Sequence, residues 1–382
     1  MAKKKPKRYN KYLIFSALLL SPWLILRARL RKSPRAPERF LILPQLTRIG
    51  DIIATTPVLR AIKKKYPLST ITVLASSKAS GVLTHNPHIT LKLYQDETGF
   101  GLVRWIQKQK FDVGISFSGS PASVALLLLG VVPTRIKVCR QKRSLAEILT
   151  DWLATTRDTF PNHTGVVAFF LTMLRHVGIR EDDVHKEVFS TKEIDEKISS
   201  FLQTHGVDTK KTIVGLSLTA GNKPKEWPLE RFAELMEKIN RASPTHFIVI
   251  GSPADRLYIE ELRKKTSTAF VQASNFSLEE TTGLMKKFSY FISANTGPMH
   301  IADALKIPTV VINGSVDPRE LVPETAPAIV VTPYPEREPS IFAFKDNKED
   351  HYAAEAMKAI SVEDVFNAFE KLTRHQSTNK NE

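Results

Sequence analysis

Short runs of aliphatic and β-branched residues recur along the chain from residue 39, with stretches of helical periodicity between them. Continuous apolar runs of this length are typical of parallel strands that are covered on both faces. The first series comprises Phe40 to Leu43, Ile71 to Ala75, Leu91 to Tyr94, Asp112 to Phe117 and Arg135 to Cys139. The second comprises Ile213 to Leu218, Phe247 to Gly251, Phe270 to Ala273, Tyr290 to Ser293, Thr309 to Asn313 and Ile329 to Thr332. Each half is therefore predicted to be a doubly wound α/β sheet.

The segments around these series complete the predicted domain plan. Residues 39–185 are predicted to form an N-terminal Rossmann-like domain, 186–211 a linker with one helix, and 212–373 a C-terminal Rossmann-like domain. Tyr334 to Asp350 is rich in proline and charge, which predicts a long loop. Ser361 and Asp364 have the spacing of a capping box before a final apolar helix, and residues 374–382 are predicted to be a flexible tail.

The segment 1–38 combines basic residues with an apolar stretch from Tyr12 to Leu26. Fifteen helical residues span about 22 Å, which is less than the roughly 30 Å of a bilayer core. A helix that lies in the membrane surface therefore competes with a short span, and a cleaved signal peptide or a plain tail are further alternatives. We expect an attachment to the cytoplasmic face of the inner membrane, and we expect residues 1 to 35 to be removable without unfolding the protein.

Charge and cysteine content narrow the function classes. The chain has 382 residues and a formal net charge of +16, but eleven basic residues and no acidic ones lie within residues 1 to 35, which leaves +5 for the remainder. A local basic segment argues against a nucleic-acid-binding surface spread over the protein. The single Cys139 cannot form an internal disulfide, and the sequence has no zinc-type cluster, so a reducing cytoplasm fits.

The first candidate cluster comes after the first predicted strand. Thr47, Arg48 and Gly50 lead into Asp51, and the glycine would let the backbone approach a ligand. A carboxylate at Asp51 could accept a proton from a sugar hydroxyl. The alternative is that Asp51 only caps a helix, although Thr56 and Pro57 also suit a cap and the first helical position.

Two further clusters come after strands of the second series. One contains Thr219, Ala220, Gly221 and Lys225, where amides, hydroxyls and an ammonium group could bind a diphosphate. It matches neither a Walker loop nor the dinucleotide fingerprint, and a single lysine in a loop is usually only solvated. The other is the run Asn295-Thr296-Gly297-Pro298-Met299-His300, in which Pro298 suits the first position of a helix whose N-terminus favours phosphate. A lone histidine there is more often packed or capping than catalytic.

Together the clusters resemble glycosyltransferase family 9, the ADP-heptose:lipopolysaccharide heptosyltransferases, over most of residues 40 to 372. The matching motifs are Gly50-Asp51, Thr55-Thr56-Pro57, Lys225-Glu226-Trp227-Pro228, Thr296-Gly297-Pro298-Met299-His300-Ile301-Ala302 and Gly314-Ser315-Val316-Asp317-Pro318. The resemblance implies a GT-B fold, with two domains facing a central cleft and an N-terminal apolar helix added. It also implies an inverting transfer of heptose or a related sugar, without metal or cofactor, from a nucleotide-diphosphate donor to a lipid-linked saccharide.

By the same resemblance the domain 39–185 lies on the acceptor side, with Thr47, Arg48 and Gly50 near the cleft, and the domain 212–373 binds the nucleotide sugar. Asp51 is then the general base, and Lys225 holds the donor diphosphate. Thr219, Ala220, Gly221, Asn295, Thr296, Gly297 and His300 complete the donor side. The sequence departs from the family pattern at Asn295, where an aspartate is common, and it lacks the cysteines that many relatives carry near 334–359. A catalytically silent nucleotide-sugar or glycolipid binding protein of the same fold is the alternative function.

Overall fold

The computed structural model describes residues 7–31, 36–45, 48–93, 99–221, 223–314, 316–333, 339, 343 and 351–378. Contacts divide the chain into two units. The first comprises Met1–Ser80 and Asn86–Val184, and the second comprises Gly81–His85 and His185–Glu382. Most of the predicted loop Tyr334 to Asp350 lies outside the described residues.

The first unit is built on a six-stranded parallel sheet with the order β3-β2-β1-β4-β5-β6. Its strands are β1 (Arg39–Leu43), β2 (Thr70–Ala75), β3 (Thr90–Leu93), β4 (Val113–Ser116), β5 (Thr134–Cys139) and β6 (Thr156–Thr159). The five predicted strands are present within a residue or two of their expected bounds. The sixth, Thr-Arg-Asp-Thr, was not predicted, because an edge strand with alternating exposure carries no continuous apolar run.

The helices of the first unit cover both faces of this sheet. They are α1 (Lys7–Leu30), α2 (Ile49–Ile53), α3 (Thr56–Lys65), α4 (Phe100–Gln109), α5 (Pro121–Leu129), α6 (Leu145–Asp151) and α7 (Val166–Met173). Helix α5 is apolar around its circumference, and the residues from Val124 to Leu129 are all buried. Such a helix needs neighbours on every side.

Helix α1 supplies one of those neighbours. Leu13, Ala17, Leu24 and Ala28 form a stripe at helical spacing, are buried, and share a core with α5. Pro22 lies inside the helix and cannot donate to the carbonyl of Leu18, but the Ser21 hydroxyl donates to that oxygen at 2.6 Å. The proline is therefore tolerated without an orphaned acceptor.

The packing of α1 shows that part of the N-terminal segment belongs to the folded first unit. The stretch Lys11–Leu30 is long and apolar enough to cross a membrane by length and composition, but 28% of it is buried inside the fold. After the helix, Arg31 contacts Asp112 at 3.2 Å and donates to the Phe111 carbonyl at 2.8 Å. These contacts argue against the expectation that residues 1 to 35 are removable, because their loss would uncover α5.

The second unit repeats the plan of the first. Its six-stranded parallel sheet has the order β12-β11-β10-β7-β8-β9. Its strands are β7 (Ile213–Ser217), β8 (His246–Ile250), β9 (Phe270–Ala273), β10 (Tyr290–Ala294), β11 (Thr309–Ile312) and β12 (Ala328–Val331). All six predicted strands are present, since each is an apolar run between two helical layers.

The helices of the second unit are α8 (Lys192–Thr204), α9 (Leu229–Ala242), α10 (Arg256–Lys265), α11 (Leu278–Met285), α12 (Gly297–Ala304), α13 (His351–Ala359) and α14 (Val362–Thr378). Helix α8, the helix expected in the linker, packs against α11. The predicted capping box is present, because the Ser361 amide donates to Asp364 at 3.0 Å and the Asp364 amide donates to the Ser361 hydroxyl at 3.1 Å. Helix α14 continues through Thr378, beyond the predicted start of the tail at 374.

Candidate active site

The second and third sequence clusters meet where the strand order of the second sheet reverses. Strands β7 and β10 are hydrogen-bonded neighbours, with Ser217 opposite Ser293, and their connections leave in opposite directions along the sheet. Ligands of doubly wound sheets bind beyond the carboxyl ends of the strands at such a position. Lys225 comes after β7 and Asn295 comes after β10, so both belong to this edge of the sheet.

The turn that carries Lys225 is held in place by Trp227, two residues further along the chain. Lys223–Lys225 is a single 3-10 turn, and Trp227 after it is fully buried. The Trp227 indole N–H donates to the Ile360 carbonyl at 3.0 Å, and its ring meets Phe232 edge-on at 5.0 Å. A buried tryptophan with a satisfied N–H is a rigid anchor, so the Lys-x-Trp-Pro motif positions its lysine through the tryptophan.

A small pocket joins Lys225 to the loop after β10. Lys225, Asn295, Asn313 and Gly314 lie among the residues that line it, and its cavity volume is about 10 Å³. At Gly314 a β-carbon would lie 2.9 Å from the Met357 side chain and 3.1 Å from the Met357 amide nitrogen. Only glycine fits there without movement of α13, which gives the Gly314 motif a packing reason.

Asn295 has a hydrogen-bond partner that explains why an amide side chain occupies this position. It is buried, and its amide group donates a hydrogen bond to the Leu321 carbonyl. An ionised carboxylate at this position could only accept, so it would place two acceptors against each other. The asparagine that departs from the family pattern therefore holds the loop after β11 as well as lining the Lys225 pocket.

Helix α12 begins at the site with an open first turn. Thr296 is its N-cap, as one of the two predicted alternatives, and Pro298 occupies the second helical position rather than the first. The Thr296 side chain makes no capping hydrogen bond. The first amides of a helix have no partner within the helix and carry its positive dipole end, so the first turn at Gly297 has the features that favour anions.

His300 lies in this helix as a buried, neutral residue. Burial lowers the pKa of His300, and the positive charge of Lys186 lowers it further, to about 3, with Lys225 acting in the same direction. Its Nδ1 atom is buried and has no hydrogen-bond partner among the described residues. At neutral pH the imidazole is therefore an uncharged hydrogen-bonding group, and it is not one of the cations of the site.

The charge next to His300 belongs to a buried network that the sequence did not indicate. Lys186 contacts Asp303 at 2.7 Å and Glu324 at 3.1 Å; Lys186 and Asp303 are buried and Glu324 is half-buried. Burial by itself raises the pKa of Asp303, but Lys186 and the amides of Glu324 and Ala326 hold it at about 2. Desolvation raises the pKa of Glu324. The network fastens α12 to the loop before β12.

One signal for this network is present in the sequence. Asp303 is a charged residue in an otherwise apolar stretch of helix, three positions after His300 and on the same face. A buried carboxylate needs a partner, which could have prompted a search for a cation. Lys186 itself has no local signature, because it lies in a polar segment before α8.

In the first unit, Asp51 is placed at the corresponding edge of the sheet. Strands β1 and β4 are neighbours at the reversal of strand order, and α2 comes directly after β1. Arg48 is the N-cap of α2, so Asp51 stands in the first turn and is half-buried. The alternative that Asp51 is merely the helix cap is wrong. An acidic side chain in the first turn of a helix is favoured by the helix dipole.

Thr55, Thr56 and Pro57 form the corner between α2 and α3. Thr55 is the N-cap of α3, and Pro57 occupies the second helical position, so the predicted cap at Thr56 is one residue late. Both threonines are fully buried, and their hydroxyls donate to the carbonyls of Ile52 and Ile53 at 2.7 Å. The motif therefore shapes the backbone that carries Asp51.

The loop after β4 completes this edge and was missed by the sequence reasoning. Ser118, Gly119 and Ser120 lead into α5, whose N-cap is Ser120. Gly119 has a φ of +62°, which disfavours other residues. The order Gly-Ser-Pro before an apolar run is a readable strand-to-helix signal. Of the predicted acceptor-side residues, Arg48 is exposed, Gly50 is half-buried and Thr47 lies outside the described residues.

A comparison with protein families identifies the family of the chain. The model of glycosyltransferase family 9 (heptosyltransferase) matches residues 100–352, well over half of the chain. The chain belongs to glycosyltransferase family 9. Its members transfer sugars. Each unit of this family 9 chain carries one candidate residue after its first strand, Asp51 in the first unit and Lys225 in the second.

Curated relatives cover most of the family 9 chain. The lipopolysaccharide core heptosyltransferase OpsX of Haemophilus influenzae is 25% identical over 88% of this chain and 97% of its own length. Lipopolysaccharide heptosyltransferase 3 of Escherichia coli K12 is 23% identical over 70% of this chain and 80% of its own. The low identity shows how much the sequence has diverged between proteins of similar length.

Solved structures confirm the GT-B fold class. A family 9 glycosyltransferase from Veillonella parvula superposes with a TM-score of 0.71 at 20% identity, covering 88% of this chain and 97% of that one. The ADP-heptose lipopolysaccharide heptosyltransferase II of E. coli has a TM-score of 0.67 at 15% identity, covering 89% and 99%. The prediction of two doubly wound α/β domains with an added N-terminal apolar helix is confirmed. The central cleft stays a prediction.

Proposed function

We propose that this family 9 enzyme transfers a heptose, or a closely related sugar, from ADP-heptose to a lipopolysaccharide-type acceptor. The observation that carries the proposal is the second-unit site, where Lys225 lies on an anchored turn beside the open N-terminus of α12. A diphosphate needs this combination of an ammonium group and free backbone amides. Relatives named as lipopolysaccharide heptosyltransferases support the choice of sugar and acceptor.

On the donor side, Lys225 binds the diphosphate, with help from Thr219, Ala220 and Gly221 in the loop after β7. The amides at Thr296 and Gly297 add donors, and neutral His300 contributes a hydrogen bond rather than a charge. Negative charge grows on the diphosphate as the sugar leaves. Fixed donors that meet this growing charge lower the barrier more than they strengthen binding of the intact donor.

On the acceptor side, Asp51 acts as general base. The acceptor hydroxyl loses its proton to the Asp51 carboxylate while its oxygen forms a bond to the anomeric carbon, and the bond from that carbon to the diphosphate oxygen breaks. One displacement from the opposite face inverts the anomeric configuration. The step needs no metal if Lys225 and the α12 amides stabilise the leaving group.

We place the enzyme at the cytoplasmic face of the inner membrane, where a nucleotide sugar and a lipid-linked saccharide are both accessible. The basic and apolar N-terminal segment holds it there. The alternative of a silent binding protein depends on Asn295 replacing the family aspartate. The hydrogen bond from Asn295 to the Leu321 carbonyl supports a structural task for the asparagine, and the transfer assay distinguishes the two functions.

The test is transfer of radiolabelled heptose from ADP-heptose to heptose-free lipopolysaccharide by the full-length protein, with and without EDTA. We expect a labelled lipid product in both conditions, with inverted anomeric configuration by NMR. Parallel reactions with other nucleotide sugars define the donor. Absence of turnover with every nucleotide sugar would contradict the proposal and favour the binding protein.

A further inference from the structure

Helix α6 in the first unit exposes its apolar side and buries its polar side. Its apolar residues lie at positions i, i+3, i+4 and i+7 and face solvent, with exposures of 70% for Leu145, 51% for Ile148, 50% for Leu149 and 48% for Trp152. A surface helix normally turns such a stripe towards the core. Here the stripe faces outward.

The polar residues of α6 are the buried ones. Asp151 is buried and contacts Lys137, itself buried, at 2.6 Å and Arg143 at 2.8 Å. Glu147 is buried and closes a capping box with Ser144. These partners fix the rotation of the helix, so the outward apolar stripe is held in place by ion pairs on the inner side.

Helix α1 has a second outward apolar stripe. Its inner stripe packs on α5, and large apolar side chains cover most of the opposite side. The exposed members are Tyr12, Phe15, Leu19, Leu20, Trp23, Leu26 and Leu30. Since the inner stripe is already packed along the helix, α1 lies against the unit with this second stripe uncovered.

The two helices belong to one region of the first unit. Both pack against α5, and Leu153, directly after α6, shares a core with Leu24 and Ala28 of α1. Arg135 donates to the Leu153 carbonyl at 2.7 Å. Burial first, and then the nearby charge of Arg29 at the end of α1, lowers the pKa of Arg135 to about 10.

The charges around the two exposed apolar stripes favour an anionic membrane surface as their binding partner. Exposed basic residues flank them, namely Lys11, Arg27 and Arg29 on α1 and Lys142 and Arg143 before α6. Helix α1 contains no acidic residue, and both acids of α6 are buried. Basic rims repel a second copy of the same face but attract anionic headgroups, and Tyr12, Trp23 and Trp152 are residue types favoured at a membrane interface.

We propose that the outer faces of α1 and α6 together form a monotopic docking surface for an anionic lipid bilayer, in which α1 lies in the interface and does not cross it. This goes beyond attachment through the N-terminal segment, because α6 is a second and separate point of contact. It rests on the proposed membrane location and is independent of the sugar-transfer chemistry.

The test is flotation of the full-length protein with vesicles of phosphatidylethanolamine and phosphatidylglycerol, compared with phosphatidylcholine vesicles. The double variant Ile148→Glu/Leu149→Glu should lower partitioning about tenfold or more, since two leucine-sized side chains lose their burial. The matched control is Leu68→Glu in the same unit, which is 97% exposed away from both stripes and should bind like the wild type. Unchanged melting temperatures show that the variants are folded.

Two further measurements locate the surface. Brominated lipids should quench the tryptophan fluorescence, and Trp152→Phe should remove part of that quenching. The double variant should retain transfer to a water-soluble acceptor, which separates a failure of docking from a failure of the transferase proposal.

Wild-type binding by the double variant would overturn the inference in favour of α1 acting alone, as a span or a sole anchor. Dissociation of a dimer by the same variant, with vesicle binding unchanged, would also overturn it and assign the face to a second copy.

Discussion

The first sheet runs β3-β2-β1-β4-β5-β6, and the second runs β9-β8-β7-β10-β11-β12 when read from the equivalent edge. The two units thus share one topology, with the reversal point between β1 and β4 in one and between β7 and β10 in the other. They differ in the segment directly after the first strand. The first unit has Asp51 in a helical turn, and the second has Lys225 on a 3-10 turn anchored by Trp227.

The units also differ in their outer layers. In the second unit α9 is conventional, with Phe232, Leu235 and Met236 buried. In the first unit α6 buries its acids, and α5 is covered by the apolar α1. A repeated topology therefore fixes where a ligand binds, while loops and surface helices decide which ligand and which environment each unit meets.

The largest expected effect is on catalysis by the first unit. Asp51→Asn should lower kcat by a factor of about 10²–10⁴, because the neutral amide cannot take the hydroxyl proton. Binding of ADP, measured by calorimetry, should be unchanged. Asp182→Asn, at an exposed aspartate of the same unit, is the control and should retain full turnover. Wild-type kcat in Asp51→Asn would remove this residue as the base.

The next effect concerns the stability of the first unit. Leu13→Ala should destabilise it by about 2–5 kcal/mol, because it opens a cavity between α1 and α5. Phe15→Ala, on the exposed side of the same helix, should change the stability in solution by less than about 0.5 kcal/mol. Equal thermal shifts for the two variants would show that α1 does not pack on the unit.

Lys225→Ala in the second unit should impair the binding of ADP, which Asp51→Asn leaves unchanged. Loss of the ammonium group should weaken ADP binding, and kcat/KM should fall by a factor of about 10² as the leaving group loses its cation. Lys223→Ala, exposed in the same turn, is the matched control. If the two lysine variants behave alike, the donor diphosphate is not held by Lys225.

The smallest effect is the pH dependence of stability in the second unit. The folded-state pKa of His300 is about 3, below the ordinary 6.5, so the unfolded state binds more protons between these values and stability falls as pH falls through that window. The contribution between pH 6.5 and 5 is on the order of 2 kcal/mol. His300→Gln should flatten the decline in melting temperature from pH 7 to pH 5. An unchanged decline would mean that His300 is protonated in the folded state.

Prediction from the sequence succeeded for those elements that a single local sequence pattern is enough to specify. Apolar runs between helical layers predicted eleven of the twelve strands in the described residues. The Lys-x-Trp-Pro and Thr-Gly-Pro motifs follow β7 and β10, as their sequence positions indicated. The polar edge strand β6 and the Gly119 loop were missed. Asp51 as base, Lys225 as phosphate ligand and the cleft remain predictions.

The sequence by itself determined the class of fold, the family and the position of the charged residues at strand ends, because periodicity and short motifs are properties of neighbouring residues. Only the tertiary structure showed that His300 is neutral, that Asn295 holds the Leu321 carbonyl, and that α6 faces its apolar residues outward. Each of these depends on a partner distant in the chain, such as Lys186 for His300 or Lys137 for α6. Burial and charge act through space, so such properties exist only once the chain is folded.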